Sequence, residues 1–261
     1  MPAATLEPLV HTQRRGHVLT ATLARPPVNA LDDALVGELQ AVVAAANADE
    51  SLTVLHIRSA HKVFCAGADL ALIQQSIATP QGLERMLAVV RRMQVLYDQL
   101  EASPLVTLAE ISGAALGGGF ELALGCDLRI VAQEARLGLP EVGLGLIAAA
   151  GGTQRLTRLV GPGLAKRLIL GAEVVDGLCA ERLGLVQWAL PRAELEAGAR
   201  ALAERLSTLP RHALVAAKQC IAAAQDPTRD GFAEEIECTR RQYQHPTTRA
   251  LVTAFLARSA G

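Results

Sequence analysis

The stretch Gly117-Gly118-Gly119-Phe120-Glu121 decides the fold of this chain. Three consecutive glycines let the backbone pass very close to a bound group. The apolar run 105–111 before them predicts a strand, and the residues after them predict a helix that ends at Gly125. The first N–H groups of such a helix are free and its dipole is positive there, so this turn can hold a negatively charged atom.

Two carboxylates accompany this turn. Glu121 falls in the first turn of the predicted helix, and Glu141 follows a second turn marked by glycine and proline. Taken alone, each is typical of an ordinary solvated acid near a helix start or in a turn. The second small-residue turn, Ala66-Gly67-Ala68-Asp69, also follows a predicted strand. Paired acids beside a backbone anion site are the groups needed for proton transfer next to a polarised carbonyl.

The composition limits the protein class. The chain has 261 residues, 51% of them apolar and only 3% aromatic, so its core must consist mostly of Ala, Leu and Val. This length predicts one large domain, or one domain with an appendage. The formal net charge is -1 and no run of Lys or Arg occurs, which argues against a sequence-independent nucleic-acid binder.

The cysteines and histidines indicate neither a disulfide framework nor a metal site. The five cysteines are widely spaced without a CxxC, and the six histidines have no metal-ligand spacing. The N-terminal segment lacks an apolar signal core, and no apolar run is long enough to cross a bilayer. We therefore expect reduced thiols, no metal, no membrane association and a cytoplasmic location.

Strands and helices alternate over the first part of the chain, and only helical patterns follow. This predicts an α/β core domain over residues 1–195 and a C-terminal helical region over residues 196–261. The predicted strands are 17–24, 52–57, 105–111, 127–132 and 185–189. The predicted helices are one capped by Asp32 or Asp33, one with Leu83, Leu87, Val90 and Leu100 on one face, two over 153–160 and 162–170, and one with Leu195, Ala199, Leu202 and Leu206 in one stripe.

The sequence contains none of three common motifs for nucleotide binding or hydrolysis. No GxGxxG occurs, so the glycine turn does not resemble a dinucleotide site, and no GK[ST] occurs for a P-loop. No GxSxG nucleophile elbow is present either.

Five segments, in this order, resemble the crotonase family, the enoyl-CoA hydratase/isomerase superfamily. They match the family patterns RP…NAL, FxAGADL, ALGGGxELA, xPExxLG and GGTQRL, at Arg25–Leu31, Phe64–Leu70, Ala115–Ala123, Leu139–Gly145 and Gly151–Leu156. The resemblance implies a spiral of ββα units, with a C-terminal helical region used in oligomerisation and site closure. It also implies a homotrimer or a hexamer built as a dimer of trimers.

The resemblance further implies an acyl-CoA thioester substrate and no separate cofactor, because coenzyme A is part of the substrate. The thioester oxygen is expected to bind the backbone N–H groups of Ala68 and Gly118, the oxyanion hole. The remaining substrate-binding residues implied by the resemblance are Ala66, Asp69, Leu70, Gly117 and Ala149. Residues 71–82 are expected to form the wall of the acyl pocket.

Carboxylates at both family positions favour an enoyl-CoA hydratase, a lyase of fatty-acid metabolism. The resemblance suggests that Glu121 deprotonates the water that attacks C3 of a trans-2-enoyl-CoA and that Glu141 delivers the proton to C2 in a syn addition. The alternatives are an enoyl-CoA isomerase or another acyl-CoA enolate reaction, an RNA-binding relative, and a catalytically silent subunit. The helix over 81–100 carries only three cations, which disfavours RNA binding.

The chain departs from the family pattern at two places. The family often has IPGAGG before TQRL, whereas Ala148 replaces the proline here and Ala149 the following glycine. In hydratases of the family, the N–H at the second position helps to place the water. Alanine keeps this N–H but adds a methyl group, so we expect the change to bear on rate and substrate choice more than on the type of reaction. Near the C-terminus, Arg258 stands where the family has a lysine close to the CoA phosphates, and its geometry differs from that of lysine.

Overall fold

The computed structural model describes residues 7–259. The N-terminal residues 1–6, where we expect no signal sequence, and residues 260–261 lie outside the described part. The chain divides into two compact units, the first ending at Leu206 and the second beginning at Ser207. The predicted boundary after residue 195 falls inside a helix, Arg192–Ser207.

Nine strands form two sheets in the described residues of the first unit, 7–206. They are β1 (Val10–Arg15), β2 (Val18–Leu23), β3 (Val54–Ser59), β4 (Val106–Ile111), β5 (Ala115–Leu116), β6 (Leu128–Ala132), β7 (Arg136–Gly138), β8 (Val174–Asp176) and β9 (Trp188–Leu190). The larger sheet has the order β1-β2-β3-β4-β6-β9, antiparallel between β1 and β2 and parallel elsewhere. All six residues of β4 are buried, as expected for a central parallel strand that is covered on both faces.

Ten α-helices accompany the strands within residues 7–259. They are α1 (Asp33–Ala48), α2 (Leu70–Ser76), α3 (Pro80–Glu101), α4 (Gly118–Leu124), α5 (Gly152–Leu170), α6 (Gly177–Arg182), α7 (Arg192–Ser207), α8 (Arg211–Ala223), α9 (Gly231–Gln244) and α10 (Pro246–Ser259). Helix α1 packs on β1, β2 and α3. Helix α7 lies against β9, because a Cβ on Gly198 would come within 2.4 Å of Leu190 Cδ1.

The smaller sheet positions the glycine turn. β5 pairs with β7, which pairs with β8, and β5 leads directly into α4. The Gly117 N–H donates to the Gly138 carbonyl at 2.9 Å. β7 is followed by Pro140 and a short 3-10 helix, Glu141–Leu144. The two segments that carry the acids therefore leave neighbouring strands at the same end of one sheet.

Most predicted elements are present, with shifts at their ends. The strands over 17–24, 105–111 and 127–132 are confirmed as β2, β4 and β6. Strand β3 begins later than predicted, and β9 covers only the end of the segment 185–189. Strands β1, β5, β7 and β8 were not predicted, because β1 is a polar edge strand and the others have two or three residues.

Two helix predictions are confirmed. A third helix, α3, is present, but the side of it that is buried was predicted wrongly. Asp32 caps α1 by accepting from the Leu35 N–H at 2.9 Å. The two helices predicted over 153–160 and 162–170 meet at Gly161, where φ is 76° and α5 kinks. On α3, however, Leu83 and Leu87 are 45% and 38% exposed. The buried face of α3 consists instead of Gly82, Met86, Val89, Met93, Leu96, Tyr97 and Leu100.

The second unit contains α8, α9 and α10, with α9 packed against both other helices. Asp230 caps α9 by accepting from the Ala233 N–H at 3.0 Å. Many large apolar side chains of this unit are exposed, among them Ile221, Phe232, Ile236, Tyr243, Val252, Phe255 and Leu256. Across the helices of residues 7–259, none combines the length and the apolar character that a membrane span requires.

Candidate active site

Two backbone N–H groups, those of Ala68 and Gly118, lie close together beside the glycine turn, because a Cβ on Gly118 would lie 3.7 Å from the Ala68 nitrogen. Leu31 pairs with Ala68 as in a parallel sheet: the Leu31 N–H donates to the Gly67 carbonyl at 2.8 Å, and the Asp69 N–H to the Leu31 carbonyl at 3.2 Å. In this pattern the N–H of Ala68 points away from Leu31. Gly118 is the first residue of α4, where an N–H has no partner in its own helix. Within residues 7–259, neither N–H donates to a protein acceptor.

The two turns that carry these donors touch each other. A Cβ on Gly67 would lie 2.7 Å from the Leu116 carbonyl oxygen and 3.4 Å from the Gly118 nitrogen. A Cβ on Gly119 would lie 2.2 Å from the Cys65 carbonyl oxygen. No side chain fits at these contacts, so glycine is required for the approach. The N–H groups of Ala68 and Gly118 thereby lie side by side, as an oxyanion hole requires.

Glu121 lies on α4, directly behind the Gly118 donor, and only 2% of its surface is exposed. Its Oε1 accepts a hydrogen bond from the Gly152 N–H, at the start of α5, at 2.7 Å. Burial, together with repulsion from Glu141, raises the pKa of Glu121 to about 7, although the hydrogen bond from Gly152 opposes the rise. This carboxyl can therefore exchange a proton near neutral pH.

Glu141 opens the 3-10 helix and is half-buried. Burial raises the pKa of this carboxyl above its ordinary value. Among the residues that the structure describes, its buried Oε2 has no hydrogen-bond partner. Gly117, with φ at 52°, makes room for the acid, because a Cβ there would lie 2.9 Å from Glu141 Oε1. The free oxygen is available to a ligand or a water molecule.

Arg155 holds the loop that faces Glu121. Its buried guanidinium binds Glu101 Oε2 at 3.0 Å and also pairs with Asp98, both on α3. Its Nη1 donates to the Ala150 carbonyl at 3.3 Å. The positive charge opposes the rise in the pKa of Glu121. Arg155 thus links α3 to the segment that supplies the Gly152 N–H.

Tyr97 supports the other side of the turn. This fully buried side chain donates from its hydroxyl to the Gly118 carbonyl at 2.9 Å. Burial raises the pKa of Tyr97 well above its ordinary value, so the hydroxyl remains a donor at all physiological pH values. This hydrogen bond therefore holds Gly118, the first residue of α4, in place.

A sequence model of the family described as enoyl-CoA hydratase/isomerase matches residues 13–259. The chain belongs to the enoyl-CoA hydratase/isomerase family.

Individual relatives agree with this membership. Enoyl-CoA hydratase domain-containing protein 2, mitochondrial, of Mus musculus is 44% identical over 186 residues, which cover 70% of this chain and 61% of the mouse protein. Crotonyl-CoA hydratase of Syntrophomonas wolfei is 41% identical over 180 residues, covering 69% of this chain and 67% of that protein. The crystal structure of enoyl-CoA hydratase from Bacillus anthracis has a TM-score of 0.89 at 32% identity and covers 96% of both chains. The predicted α/β crotonase fold is confirmed.

The structure brings together the residues on which the enoyl-CoA hydratase/isomerase resemblance depended. The four residues predicted as catalytic or oxyanion-hole groups, and Gly117, lie around one space: Ala68, Gly118, Glu121 and Glu141 surround the start of α4. Ala149 is exposed, and its carbonyl accepts from Gln94 Nε2 at 2.7 Å. Ala148 is buried. The roles of these residues toward a substrate stay predictions.

Four further residues were predicted to lie near the substrate. Ala66 is exposed in the loop, and Leu70, the first residue of α2, is exposed as well. The Asp69 carboxylate caps α2, accepting from Ala71 and Leu72, and pairs with Arg25 at 3.1 Å. Its side chain therefore orders the loop that presents the Ala68 N–H. Arg258 lies on α10 in the second unit and donates to the Ala254 carbonyl at 3.3 Å.

Sequence reasoning missed three supporting groups of this family site. The Gly152 N–H had a visible signal, since a glycine pair at a predicted helix start leaves free donors. Arg155 was read only as part of the GGTQRL pattern, and nothing in the sequence distinguished Tyr97 from a core aromatic residue. In the part of the chain described here, no cluster of three or more His, Cys, Asp or Glu residues could hold a metal ion.

Proposed function

We propose that this protein is an enoyl-CoA hydratase, which adds water to a trans-2-enoyl-CoA and yields a 3-hydroxyacyl-CoA. The observation that carries the proposal is the placement of two carboxyls, the buried Glu121 and the half-buried Glu141, near the free N–H groups of Ala68 and Gly118. The names of the relatives from Syntrophomonas wolfei and Bacillus anthracis support the same reaction.

The oxyanion hole stabilises the negative charge that forms during addition. In the proposed complex the thioester oxygen accepts from the N–H groups of Ala68 and Gly118. As water attacks C3, electrons move toward this oxygen and an enolate develops, so both hydrogen bonds strengthen in the transition state. Losing one such donor typically costs roughly 10²–10³-fold in kcat. Coenzyme A enters as part of the substrate, and the proposed reaction needs no further cofactor.

The two acids handle the one proton that the water loses, while its other proton stays on the new hydroxyl group at C3. Glu121 takes one proton from the water as its oxygen bonds to C3, and Glu141 gives a proton to C2, on the same face of the double bond. Proton exchange between the acids then restores both groups. A pKa of about 7 suits Glu121 for this base role, since a catalytic pKa near the working pH combines basicity with the correct protonation state.

Hydration of crotonyl-CoA tests the proposal through the loss of the ultraviolet absorbance of the conjugated thioester. We expect turnover by the unchanged protein and a loss of at least about 10²-fold in kcat for Glu121→Gln and for Glu141→Gln. The exposed Glu134, changed to Gln, is the matched control and should keep full activity. Binding of 3-hydroxybutyryl-CoA, measured by calorimetry, should survive in both active-site variants.

Two results contradict the proposal. Near-normal turnover in either active-site variant removes the assigned roles of the acids. Tight binding of acyl-CoA esters without any hydration of crotonyl-CoA favours an isomerase or another enolate reaction. A 3-enoyl-CoA then becomes the next substrate to test.

A further inference from the structure

One side of α3 faces the site loop, which comprises residues 147–151, and the start of α5. Asp98 and Glu101 on this side of α3 bind the guanidinium of Arg155. Gln94 comes four residues before Asp98, about one helical turn, so it lies on the same side of the helix. A neutral side chain therefore accompanies the two acids that hold α5.

Gln94 binds the site loop directly. Its Nε2 donates to the Ala149 carbonyl at 2.7 Å, and both residues are exposed. The peptide between Ala149 and Ala150 is trans, so its N–H points away from its carbonyl and hence away from Gln94. Ala150 is buried, and a hydrogen bond from its N–H helps to lower the pKa of Glu121. Gln94 thus holds one end of a peptide group whose other end faces Glu121.

Glu121 receives another N–H group a short distance further along the chain. The Gly152 N–H donates to Glu121 Oε1 at 2.7 Å. Between these points, Arg155 Nη1 donates to the Ala150 carbonyl at 3.3 Å. The path from the Gln94 amide to the Glu121 carboxyl therefore runs through a few residues of backbone that is hydrogen-bonded at both ends.

The site loop lacks side chains that could fix its own conformation. Its sequence, Ile147-Ala148-Ala149-Ala150-Gly151, has no proline to restrict φ and no side chain that can form a hydrogen bond. Gly151, with φ at 105°, gives the start of α5 no side-chain cap. The conformation must therefore be set by groups outside the loop, and Gln94 and Arg155 act on it through successive carbonyls.

We propose that Gln94 is a positioning residue for Glu121: its side-chain amide holds the Ala149–Ala150 peptide and thereby fixes the loop that presents N–H groups to this carboxyl. The consequence for catalysis rests on the proposed hydratase function, in which Glu121 is the base. Without Gln94 the N–H groups meet the carboxylate less often, so the carboxylate is stabilised less and binds its proton more tightly.

Gln94→Met tests the consequence for catalysis. Methionine is about as long as glutamine but has no N–H to donate, and the exposed position leaves no cavity behind. We expect kcat for crotonyl-CoA to fall by roughly three- to tenfold, the range that the loss of one net hydrogen bond allows. KM should change by less than about twofold. The exposed Gln225 in the second unit, changed to Met, is the matched control and should keep full activity.

A second measurement needs no substrate. The ¹³C carboxyl signal of Glu121, assigned by its absence in Glu121→Gln, follows the pKa of this group during a pH titration. We expect a midpoint of about 7 in the unchanged protein. In Gln94→Met the midpoint should lie roughly 0.3–1 pH units higher. The charged neighbours Glu141 and Arg155 are the same in both proteins, so this difference reports the position of the N–H groups and not a change of charge.

The two measurements separate the role of Gln94 from the reaction itself. If the unchanged protein does not hydrate crotonyl-CoA but the Glu121 midpoint rises in Gln94→Met, the hydratase proposal fails and the positioning of Glu121 by Gln94 is supported. An equal midpoint in Gln94→Met and the unchanged protein overturns the positioning role. If Gln94→Met is then also less stable to urea, Gln94 serves only the structure of the loop.

Discussion

At the scale of single residues, the site depends on burial of Glu121. An exposed glutamate is fully ionised at pH 7, but this one is enclosed and faces a second acid, so its pKa rises to about 7. The burial that raises the pKa of Glu121 to a value useful for a base also destabilises the folded protein when this carboxyl is ionised. Two predictions follow from this one shift, one on activity and one on stability.

The activity should depend on the ionisation of Glu121. As the base it must be a carboxylate, so we expect kcat/KM for crotonyl-CoA to rise with pH through about 7 and to be roughly tenfold lower at pH 6 than on the plateau. Initial rates between about pH 5.5 and 8.5 measure this. Because Glu121 and Glu141 interact, the midpoint belongs to the pair. A flat profile in a protein that stays folded contradicts the assignment.

The stability should also depend on the ionisation of Glu121, but in the opposite direction: the free energy of unfolding should fall over the pH range in which the activity rises. Glu121 keeps its proton up to about pH 7 when folded but only to its ordinary value of 4.5 when unfolded. Between these values the folded state holds more protons, so the free energy of unfolding falls as pH rises. The full cost above pH 7 is about 3 kcal/mol.

Glu121→Gln removes this titration. Relative to the unchanged protein, its free energy of unfolding should increase by up to about 3 kcal/mol between acid and neutral pH. Urea unfolding at about pH 4.5, 6 and 8 measures the change, and Glu134→Gln should show none. If the difference in the free energy of unfolding between Glu121→Gln and the unchanged protein does not vary with pH, then the pKa of Glu121 is not raised in the folded state.

At the scale of elements, the site is a junction of α3, α4 and α5. Arg155 connects them through Glu101 and Asp98 on α3 and through the Ala150 carbonyl. These bonds fix the loop whose next N–H group, from Gly152, binds Glu121. The positive charge also stabilises the carboxylate form of Glu121.

Arg155→Met should therefore act on the pH profile as well as on the rate. Losing the charge raises the pKa of Glu121, so the rise of kcat/KM should move to higher pH and activity at pH 7 should fall by roughly tenfold. Arg158→Met is the matched control, because Arg158 also pairs with Glu101, at 3.5 Å, and is exposed. An unshifted profile with equal rate loss in both variants indicates a purely structural role.

The elements that could be predicted from the sequence are those whose ends or type are set by residues within or next to them. Asp32 as a cap, Gly161 before Pro162, and the apolar strand β4 are all decided by neighbouring residues. The buried face of α3 was predicted wrongly because tertiary contacts select it: α3 packs against α1, and Tyr97 hydrogen-bonds to the Gly118 carbonyl of α4. The strands of the smaller sheet have only two or three residues, so they are defined by pairing with each other and not by a pattern in the sequence.

At the scale of the whole molecule, assembly remains a prediction. Helices α9 and α10 expose large apolar side chains, with Phe232 84% exposed and Phe255 66% exposed. Exposed apolar surface of this kind is typical of an interface. We expect a solution mass three or six times the 27.5 kDa of one chain, measured by analytical ultracentrifugation.

Phe232→Asp should weaken the assembly and shift the population toward the single chain. The exposed and polar Glu134, changed to Gln, should leave the mass unchanged. A single chain of 27.5 kDa at micromolar concentration in the unchanged protein contradicts the prediction.

The sequence by itself determined the family, the order of the main elements and the identity of the paired acids. Each of these depends on residue type at fixed positions, such as glycine where a Cβ cannot fit and carboxylates after two turns. Only the tertiary structure decided the unusual pKa of Glu121 and the support from Tyr97 and Arg155. Burial, electrostatic interaction and hydrogen bonding depend on distance in space, which residues far apart in the chain acquire only when it folds.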